Sequence, residues 1–180
     1  MIRKELADGR ENMLKGFYPD YDVESAYDID YESLYEKGYR GIIFDIDNTL
    51  VPHGAPADER AVTLVEKLKK TGYKVMLLSN NKEPRVKSFN DAVKAQYIFK
   101  AGKPGSAGYE KAMEQMGTDV QTTVFVGDQL FTDVWGAKKL GIVTYLVKPI
   151  HPKEEIQIVL KRFFEKIVLY FYRKQKGTEK

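Results

Sequence analysis

The sequence predicts an α/β fold in which a parallel β-sheet is covered by helices on both faces. From residue 41 onward, short apolar runs typical of buried strands alternate with longer amphipathic stretches. Hydrophobic residues make up 43% and charged residues 31% of the 180 residues, which is typical of a globular protein with a full core. Strands that alternate with helices form parallel sheets, and these sheets need cover on both faces.

Five apolar runs are predicted to form the strands. Each is short and rich in β-branched or aromatic residues, and polar or turn residues follow it. The runs span residues 41–46, 73–78, 96–99, 122–126 and 142–147.

The stretches between these runs predict helices. Over residues 58–71 the apolar positions 61, 62, 64, 65 and 68 recur at helical spacing, and Gly72 suits the C-cap. Shorter helices are predicted over residues 28–37, 84–94, 106–116 and 132–140.

Composition excludes several classes of site and partner. The chain has no cysteine, which rules out disulfides, thiolate metal sites and cysteine nucleophiles. The N-terminus lacks the apolar stretch of a signal peptide, and no run approaches the roughly 20 apolar residues that span a bilayer. A cytoplasmic location is therefore expected. The net charge of +3 does not indicate nucleic-acid binding. Residues 161–180 hold seven basic and two acidic residues, which favours contact with an anionic partner or an anionic surface.

Polar groups follow four of the predicted strands. Ligands of open parallel sheets bind beyond the carboxyl ends of the strands, so these groups are expected to meet at one edge. They are Asp45-Ile46-Asp47-Asn48-Thr49-Leu50, Ser79-Asn80-Asn81, Lys103-Pro104 and Gly127-Asp128-Gln129-Leu130-Phe131-Thr132-Asp133. Each group taken alone is equally compatible with a turn or a helix cap.

The charges of these groups favour phosphoryl chemistry around a cation. Converging carboxylates repel one another, and a hard divalent cation with oxygen ligands, such as Mg²⁺, relieves that repulsion. Asp45 and Asp128 are the candidate side-chain ligands, with Asp133 nearby. Ser79 offers a hydroxyl and Lys103 a positive charge for phosphoryl oxygens.

The ordered motifs Asp-x-Asp-x-Thr-Leu, Ser-Asn, Lys-Pro and Gly-Asp-x-x-x-x-Asp, over residues 40–147, resemble the haloacid dehalogenase superfamily of phosphatases, subfamily IIIA. The resemblance implies a three-layer α/β/α Rossmann-like sheet. It implies that Asp45 is the nucleophile, forming an aspartyl-phosphate, and that Asp47 is the general acid and base. It further implies a catalytic Lys103, substrate contacts from Asn48, Ser79, Asn80 and Lys103, and Mg²⁺ held by Asp45, the Asp47 carbonyl and Asp128, with Asp133 in support.

The spacing of the motifs predicts that no cap domain is inserted. Asp45 and Ser79 are 34 positions apart, and Ser79 and Lys103 are 24 apart, which leaves room only for a helix and a strand in each gap. The site is therefore expected to be open to large substrates or closed by another chain. His53, in the short flap over residues 51–56, either contacts substrate or is simply exposed.

The C-terminal segment predicts an amphipathic helix over about residues 152–174. Its apolar face includes Phe163, Phe164, Ile167, Tyr170 and Phe171, and Glu165 lies on the opposite side with the basic residues. Three alternatives remain open for this helix: contact with a membrane interface, packing on the protein's own sheet, and a second subunit.

The N-terminal region carries the motif Tyr18-Pro19-Asp20 and then Tyr27-Asp28-Ile29-Asp30. This pattern resembles a smaller subfamily IIIA group that is similar to phosphatidylglycerophosphate phosphatases. The resemblance implies a phospholipid headgroup as substrate. The chain length predicts a single domain over residues 1–180, with a core over about 40–147. The alternatives are a phosphatase of a soluble sugar phosphate or nucleotide, dimeric through the C-terminal helix, and a non-catalytic phosphate-binding protein. The tyrosines are equally compatible with packing against the sheet.

Overall fold

The computed structural model describes residues 14–151 and 156–178, with the backbone alone for 156–162 and 177–178. Its centre is a sheet of six parallel strands in the order β1-β6-β5-β2-β3-β4. The strands are β1 (Tyr21–Val23), β2 (Gly41–Phe44), β3 (Lys74–Leu78), β4 (Gln96–Ile98), β5 (Thr123–Gly127) and β6 (Val143–Val147). The predicted three-layer α/β/α fold is confirmed.

Helices cover both faces because successive strand residues point to opposite sides. On one face, Ile42 and Phe44 of β2 join a core with the buried residues of three helices, while Ile43 joins a second core on the other face. The helices are α1 (Tyr31–Glu36), α2 (Glu59–Thr71), α3 (Glu83–Val93), α4 (Ala107–Met116), α5 (Trp135–Lys138) and α6 (Ile156–Thr178). The first three pack on the first face, and α4 and α5 on the second.

The sheet has a topological switch point between β2 and β5. From β2 the chain proceeds outward through β3 and β4, and it then returns to the other side of β2 to form β5 and β6. The connections that leave the ends of β2 and β5 therefore diverge and open a crevice between them. Asp45 and Asp128 are the first residues after these two strands, so the fold places both at the crevice.

Helix α2 has a cap at each end, and the structure confirms the predicted C-cap at Gly72. The Asp58 carboxylate accepts a hydrogen bond of 2.8 Å from the Ala61 N–H at the start of α2. Gly72 ends this helix with φ of 110°, a conformation that glycine adopts without steric cost.

Three local features differ from the sequence expectations. The segment 21–23 forms the edge strand β1 beside β6, where no strand was expected. Helix α1 begins at Tyr31, after a separate 3₁₀ turn at Ala26–Asp28, and not at residue 28. The helix expected over residues 132–140 is a π-helical turn, Leu130–Val134, that continues into the single-turn helix α5.

Between the motifs the chain forms no additional domain. Residues 45–79 contain a short loop, α2 and β3, and residues 79–103 contain α3 and β4. The expectation of a site without an inserted cap is therefore confirmed for these segments.

Helix α6 packs against the turn that follows β5. Val168 is buried with Leu130, Val134 and Leu146, whereas the expected apolar face is largely solvent-exposed. Phe163 and Tyr170 on that face are 62% and 63% exposed. Glu165, expected on the polar side, is instead buried at 4% exposure, so within the described residues the helix packs through the side that carries Glu165 and Val168. The predicted start of this helix at residue 152 lies outside the described residues.

Candidate active site

A cavity of about 220 Å³ lies at the switch point, at the carboxyl edge of the sheet. Most of the predicted site residues line it: Asp45, Asp47, Asn48, Ser79, Asn80, Lys103 and Asp133. Asn81, Gln129 and Thr132 also line it, and exposed His53 lies at its rim. The cavity therefore brings together residues from four strand ends that are separated by up to about 90 positions in the chain.

Three buried carboxylates converge beside this cavity. One oxygen each of Asp45, Asp128 and Asp133 lies within 4.8 Å of the others. Their residues are 7%, 1% and 1% exposed, respectively. The predicted neighbour Asp133 thus belongs to the cluster as closely as the two predicted ligands do, while the Asp47 carboxylate is not part of it.

Lys103 is the counter-ion of this cluster. Its ammonium group donates hydrogen bonds of 2.6 Å to Asp45 Oδ1 and 2.7 Å to Asp133 Oδ1. Burial by itself would lower the pKa of Lys103, but the carboxylates of Asp133 and Asp45 outweigh it and raise that pKa. Lys103 therefore remains charged and joins Asp45 of the first motif to Asp133 of the fourth.

The charge balance of the cluster favours a bound cation. One ammonium group faces three carboxylates. Burial raises the pKa of Asp45 to about 7; the charge of Lys103 lowers this pKa, and the charge of Asp133 raises it further. A divalent cation supplies the missing positive charge, and an all-oxygen donor set is the kind that hard cations prefer. The residues present therefore fit a divalent metal site.

The second motif positions Lys103 through Asn80. The Asn80 side chain donates to the Lys103 carbonyl at 2.9 Å and accepts from the Lys103 N–H at 2.8 Å. These paired bonds fix the backbone from which the buried ammonium extends. In the structure Asn80, which was expected to contact substrate, supports Lys103.

The Asp47 carboxylate faces the cavity but is held by three donors on its other sides. Oδ1 accepts from the Gly54 N–H at 2.7 Å and from Arg85 Nη2 at 2.8 Å. Oδ2 accepts from Asn81 Nδ2 at 2.7 Å. The side chain is thereby turned away from the carboxylate cluster and towards the flap that carries Gly54.

Ser79 and Asn48 lie in the same wall of the cavity. Ser79 Oγ accepts from the Asn81 N–H at 3.1 Å, which leaves the hydroxyl hydrogen for an acceptor in the cavity. Asn48 has φ of 61°, and its carbonyl and side chain accept from the N–H groups of Ile150 and His151. Asn48 therefore connects the first motif to the segment after β6.

Arg85 and Glu165 are two polar residues of the site region that sequence reasoning missed. Arg85 lies in the first turn of α3 and pairs with Asp47. Glu165 Oε1 accepts from the N–H groups of Leu130 and Phe131, at 2.7 and 3.3 Å, and so holds the π-helical turn between two cavity residues. In the sequence, Glu165 is distinguished as the sole acidic residue between residues 156 and 178. Nothing in the sequence distinguishes Arg85, because the chain has 29 lysines and arginines.

Comparison with known proteins identifies relatives of the chain. The family description "haloacid dehalogenase-like hydrolase" matches residues 54–141, a span that includes Ser79, Lys103 and Asp128 but begins after Asp45. The chain is 38% identical over 159 residues to the probable phosphatase YqeG of Bacillus subtilis, covering 87% of this chain and 92% of that protein. It is 26% identical over 151 residues to phosphatidylglycerophosphate phosphatase 1, chloroplastic/mitochondrial, of Arabidopsis thaliana, covering 78% of this chain but 43% of the longer plant protein.

Solved structures with the same fold include small phosphatases. A putative 3-deoxy-D-manno-octulosonate 8-phosphate phosphatase from Vibrio cholerae aligns with a TM-score of 0.53 and 17% identity, over 72% of this chain and 78% of that one. The cobalt-bound deoxy-D-mannose-octulosonate 8-phosphate phosphatase YrbI from Haemophilus influenzae aligns with a TM-score of 0.52 and 16% identity, over 63% and 70%. At these identities the likeness concerns the fold.

Proposed function

The chain belongs to the haloacid dehalogenase-like hydrolases and is a phosphatase, and on that basis we propose that it hydrolyses phosphomonoesters through an aspartyl-phosphate on Asp45. The observation that carries the proposal is the buried group of Asp45, Asp128, Asp133 and Lys103 beside an open cavity. Phosphoryl transfer needs positioning and charge neutralisation more than other chemistry, and this group supplies both.

The proposed reaction has two steps that balance in atoms and protons. Asp45 attacks phosphorus through the carboxylate oxygen that Lys103 does not bind, and the bond from phosphorus to the leaving oxygen breaks. Asp47 gives its proton to that oxygen. Asp47 then takes a proton from water as the water attacks phosphorus, and inorganic phosphate leaves as the bond to Asp45 breaks. Lys103 and the Ser79 hydroxyl bind phosphoryl oxygens in both steps.

We propose Mg²⁺ as the resident metal. Asp45, Asp128 and the Asp47 backbone carbonyl would hold it, with Asp133 in support, because these oxygen donors suit a hard cation. A bound divalent ion supplies positive charge for the phosphoryl oxygens and for the carboxylates that crowd the nucleophile.

The test of this mechanism is phosphate release from p-nitrophenyl phosphate. Wild-type protein is expected to be active with Mg²⁺ and inactive after treatment with a chelator, and Mg²⁺ should restore activity better than Ca²⁺. Asp45→Asn should lower kcat by at least about 10³-fold, because the amide is not a nucleophile. Glu66→Ala, an exposed change on α2, serves as control. Activity that survives Asp45→Asn or the chelator would refute the mechanism.

We further propose that the substrate is a phospholipid headgroup, phosphatidylglycerophosphate in particular. The plant relative named for that activity gives sequence support, and the uncapped cavity admits a large substrate. Helix α6 gives physical support, because Glu165 anchors it to the turn between the cavity residues Gln129 and Thr132. The inner side of α6 therefore contacts a turn that contributes Gln129 and Thr132 to the cavity.

The outer side of α6 has the properties of a membrane-contact surface. Phe163, Phe164, Ile167, Tyr170 and Phe171 are all exposed on it, and exposed cations such as Lys166 accompany them. Aromatic and cationic side chains together favour an interface with anionic lipids. No helix within residues 14–151 and 156–178 is long and apolar enough to cross a bilayer. We therefore propose a cytoplasmic enzyme, with core and α6 as one domain, bound peripherally at the inner membrane face.

Vesicle experiments test the lipid proposal separately from the mechanism. Wild-type protein should cosediment with vesicles containing phosphatidylglycerol, and should hydrolyse phosphatidylglycerophosphate in them faster than soluble sugar phosphates or nucleotides. Phe163→Ser/Phe164→Ser should lose vesicle binding but retain activity on p-nitrophenyl phosphate, whereas exposed Gln175→Ala on the same helix should change neither.

Two results would overturn the lipid proposal. A clear preference for a soluble phosphomonoester would remove the headgroup as substrate. Conversion of a dimer to a monomer by Phe163→Ser/Phe164→Ser, with no vesicle binding by wild-type protein, would make α6 an interface between two copies.

A further inference from the structure

Arg85 is a partly buried cation that contacts Asp47, and the proposed mechanism gives it no role. It lies in the first turn of α3, which starts directly after the second motif. Strand β3, which leads into that motif, pairs with β2, which leads into Asp47. The guanidinium group therefore reaches Asp47 from behind, on the side away from the cavity, and Arg85 does not line the cavity.

We propose that Arg85 is a positioning residue that holds Asp47 for proton transfer to the leaving group through Oδ2. This inference rests on the proposed function and adds to it. It assigns the two oxygens of one carboxyl group to two separate tasks.

The hydrogen-bond donors around Asp47 distinguish its two carboxyl oxygens, one that is fully occupied and one that is not. Oδ1 accepts two hydrogen bonds, from Gly54 N and Arg85 Nη2 at 2.7 and 2.8 Å, which occupy both of its lone pairs. Oδ2 accepts one, from Asn81 Nδ2 at 2.7 Å, and retains one position. Oδ2 is therefore the oxygen of this carboxyl group that has a position left for one further hydrogen bond. The remaining donor position on Oδ2 belongs to the substrate's leaving oxygen.

Arg85 is itself fixed by its surroundings. Its side chain is 19% exposed, and its Cζ lies 5.8 Å from the ring centroid of buried Phe89, one turn further along α3. Arg85 Nε is buried without a hydrogen-bond partner among the described residues. An unpaired buried donor costs free energy, so the arrangement is better explained by the placement of Asp47 than by stabilisation of the fold.

The positioning role predicts a dependence on the leaving group. Nitrophenolate leaves readily without protonation, whereas an alkoxide needs a proton in the transition state. Arg85→Ala and Arg85→Gln should therefore lower kcat/KM on glycerol 2-phosphate by about 10²-fold or more, but change kcat/KM on p-nitrophenyl phosphate by less than about threefold. The ratio kcat/KM is compared because it reports only the steps up to the aspartyl-phosphate, whereas hydrolysis of that intermediate is common to both substrates. Arg85→Lys should fall between the wild type and these variants.

Two further measurements distinguish positioning from a general structural effect. Asp47→Ala/Arg85→Ala should be no slower on glycerol 2-phosphate than Asp47→Ala alone, because residues that act as one unit are not additive. Millimolar guanidinium should restore part of the lost activity to Arg85→Ala but none to Asp47→Ala. Lys87→Ala, which removes an exposed cation from the same helix, should have no effect in any assay.

Equal decreases of kcat/KM on both substrates would overturn the role of Arg85. Additive decreases in the Asp47→Ala/Arg85→Ala variant would also overturn it. If Arg85→Ala fails to fold by circular dichroism, the comparison of Arg85→Lys with the wild type on the two substrates decides the matter. The proposed function fails separately: in that case the wild-type protein hydrolyses neither substrate.

Discussion

Replacement of Glu165 by alanine is expected to destabilise the protein through the turn that carries the fourth motif. Glu165 belongs to α6, which is outside the core motifs, yet its buried Oε1 accepts from the N–H groups of Leu130 and Phe131. These are the first amides of a π-helical turn, where no preceding turn supplies an acceptor. The alanine variant leaves both donors without this partner.

The magnitude follows from the two distances. The bond of 2.7 Å to Leu130 N is a full charge-assisted hydrogen bond, while that of 3.3 Å to Phe131 N is long and weaker. Hydrogen bonds to charged groups contribute about 1.5–3 kcal/mol each, so Glu165→Ala should lower the free energy of unfolding by about 2–4 kcal/mol. At about 2–4 °C per kcal/mol for a chain of this length, Tm should fall by about 5–15 °C. Glu165→Gln keeps an acceptor oxygen and should lose about half as much.

Urea unfolding followed by tryptophan fluorescence measures this loss. Trp135 is the single tryptophan, and it directly follows the turn, with its ring 5.1 Å from that of Phe17. The matched control is Lys166→Ala, a neighbouring exposed position on α6, which should change the free energy by less than about 0.5 kcal/mol. A Glu165→Ala variant no less stable than the control would show that the two hydrogen bonds contribute nothing to the native state.

Two further substitutions test the packing and the charge of the site. Gly127→Ala should lower the free energy of unfolding by about 1–3 kcal/mol in the same urea assay, because its Cβ would lie 2.6 Å from Asp133 Oδ2. Gly16→Ala is the control, because a Cβ there would have no atom within 4 Å. Equal stability of the two variants would contradict the close approach at Gly127. Lys103→Met should lower kcat on p-nitrophenyl phosphate by about 10²–10³-fold, because it removes the ammonium group between Asp45 and Asp133. A kcat within threefold of the wild-type value would show that this charge is not needed for catalysis.

The sequence alone predicted the fold class and the place where the motifs meet. Short apolar runs that each end in polar residues imply parallel strands, and the carboxyl ends of parallel strands share one edge of the sheet. Asp45, Ser79, Lys103 and Asp128 could therefore be grouped before any coordinates were considered. Their grouping depends on strand periodicity, which is a local property of the chain.

Local signals also explain which elements were missed. Strand β1 has three residues, too few for an alternating pattern, and it is held by pairing with β6 more than 100 positions away. The π-helical turn after β5 depends on Glu165, which is 35 positions from Leu130 in the chain. Contacts of this kind have no trace in the periodicity of the segment that they shape.

The tertiary structure alone decided which side chains hold the reacting groups and which side of α6 faces outward. Residues 167–172 of α6 are apolar on every side of the helix, so hydrophobicity there could not select the buried side. The position of the turn after β5 selected it, because the amides of Leu130 and Phe131 needed the Glu165 carboxylate as acceptor. Arg85 likewise became the partner of Asp47 only when β2 and β3 paired and brought the start of α3 to the flap. Periodicity along the chain determines strands and helices, whereas hydrogen-bond and charge pairing between distant segments exists only once those elements are packed.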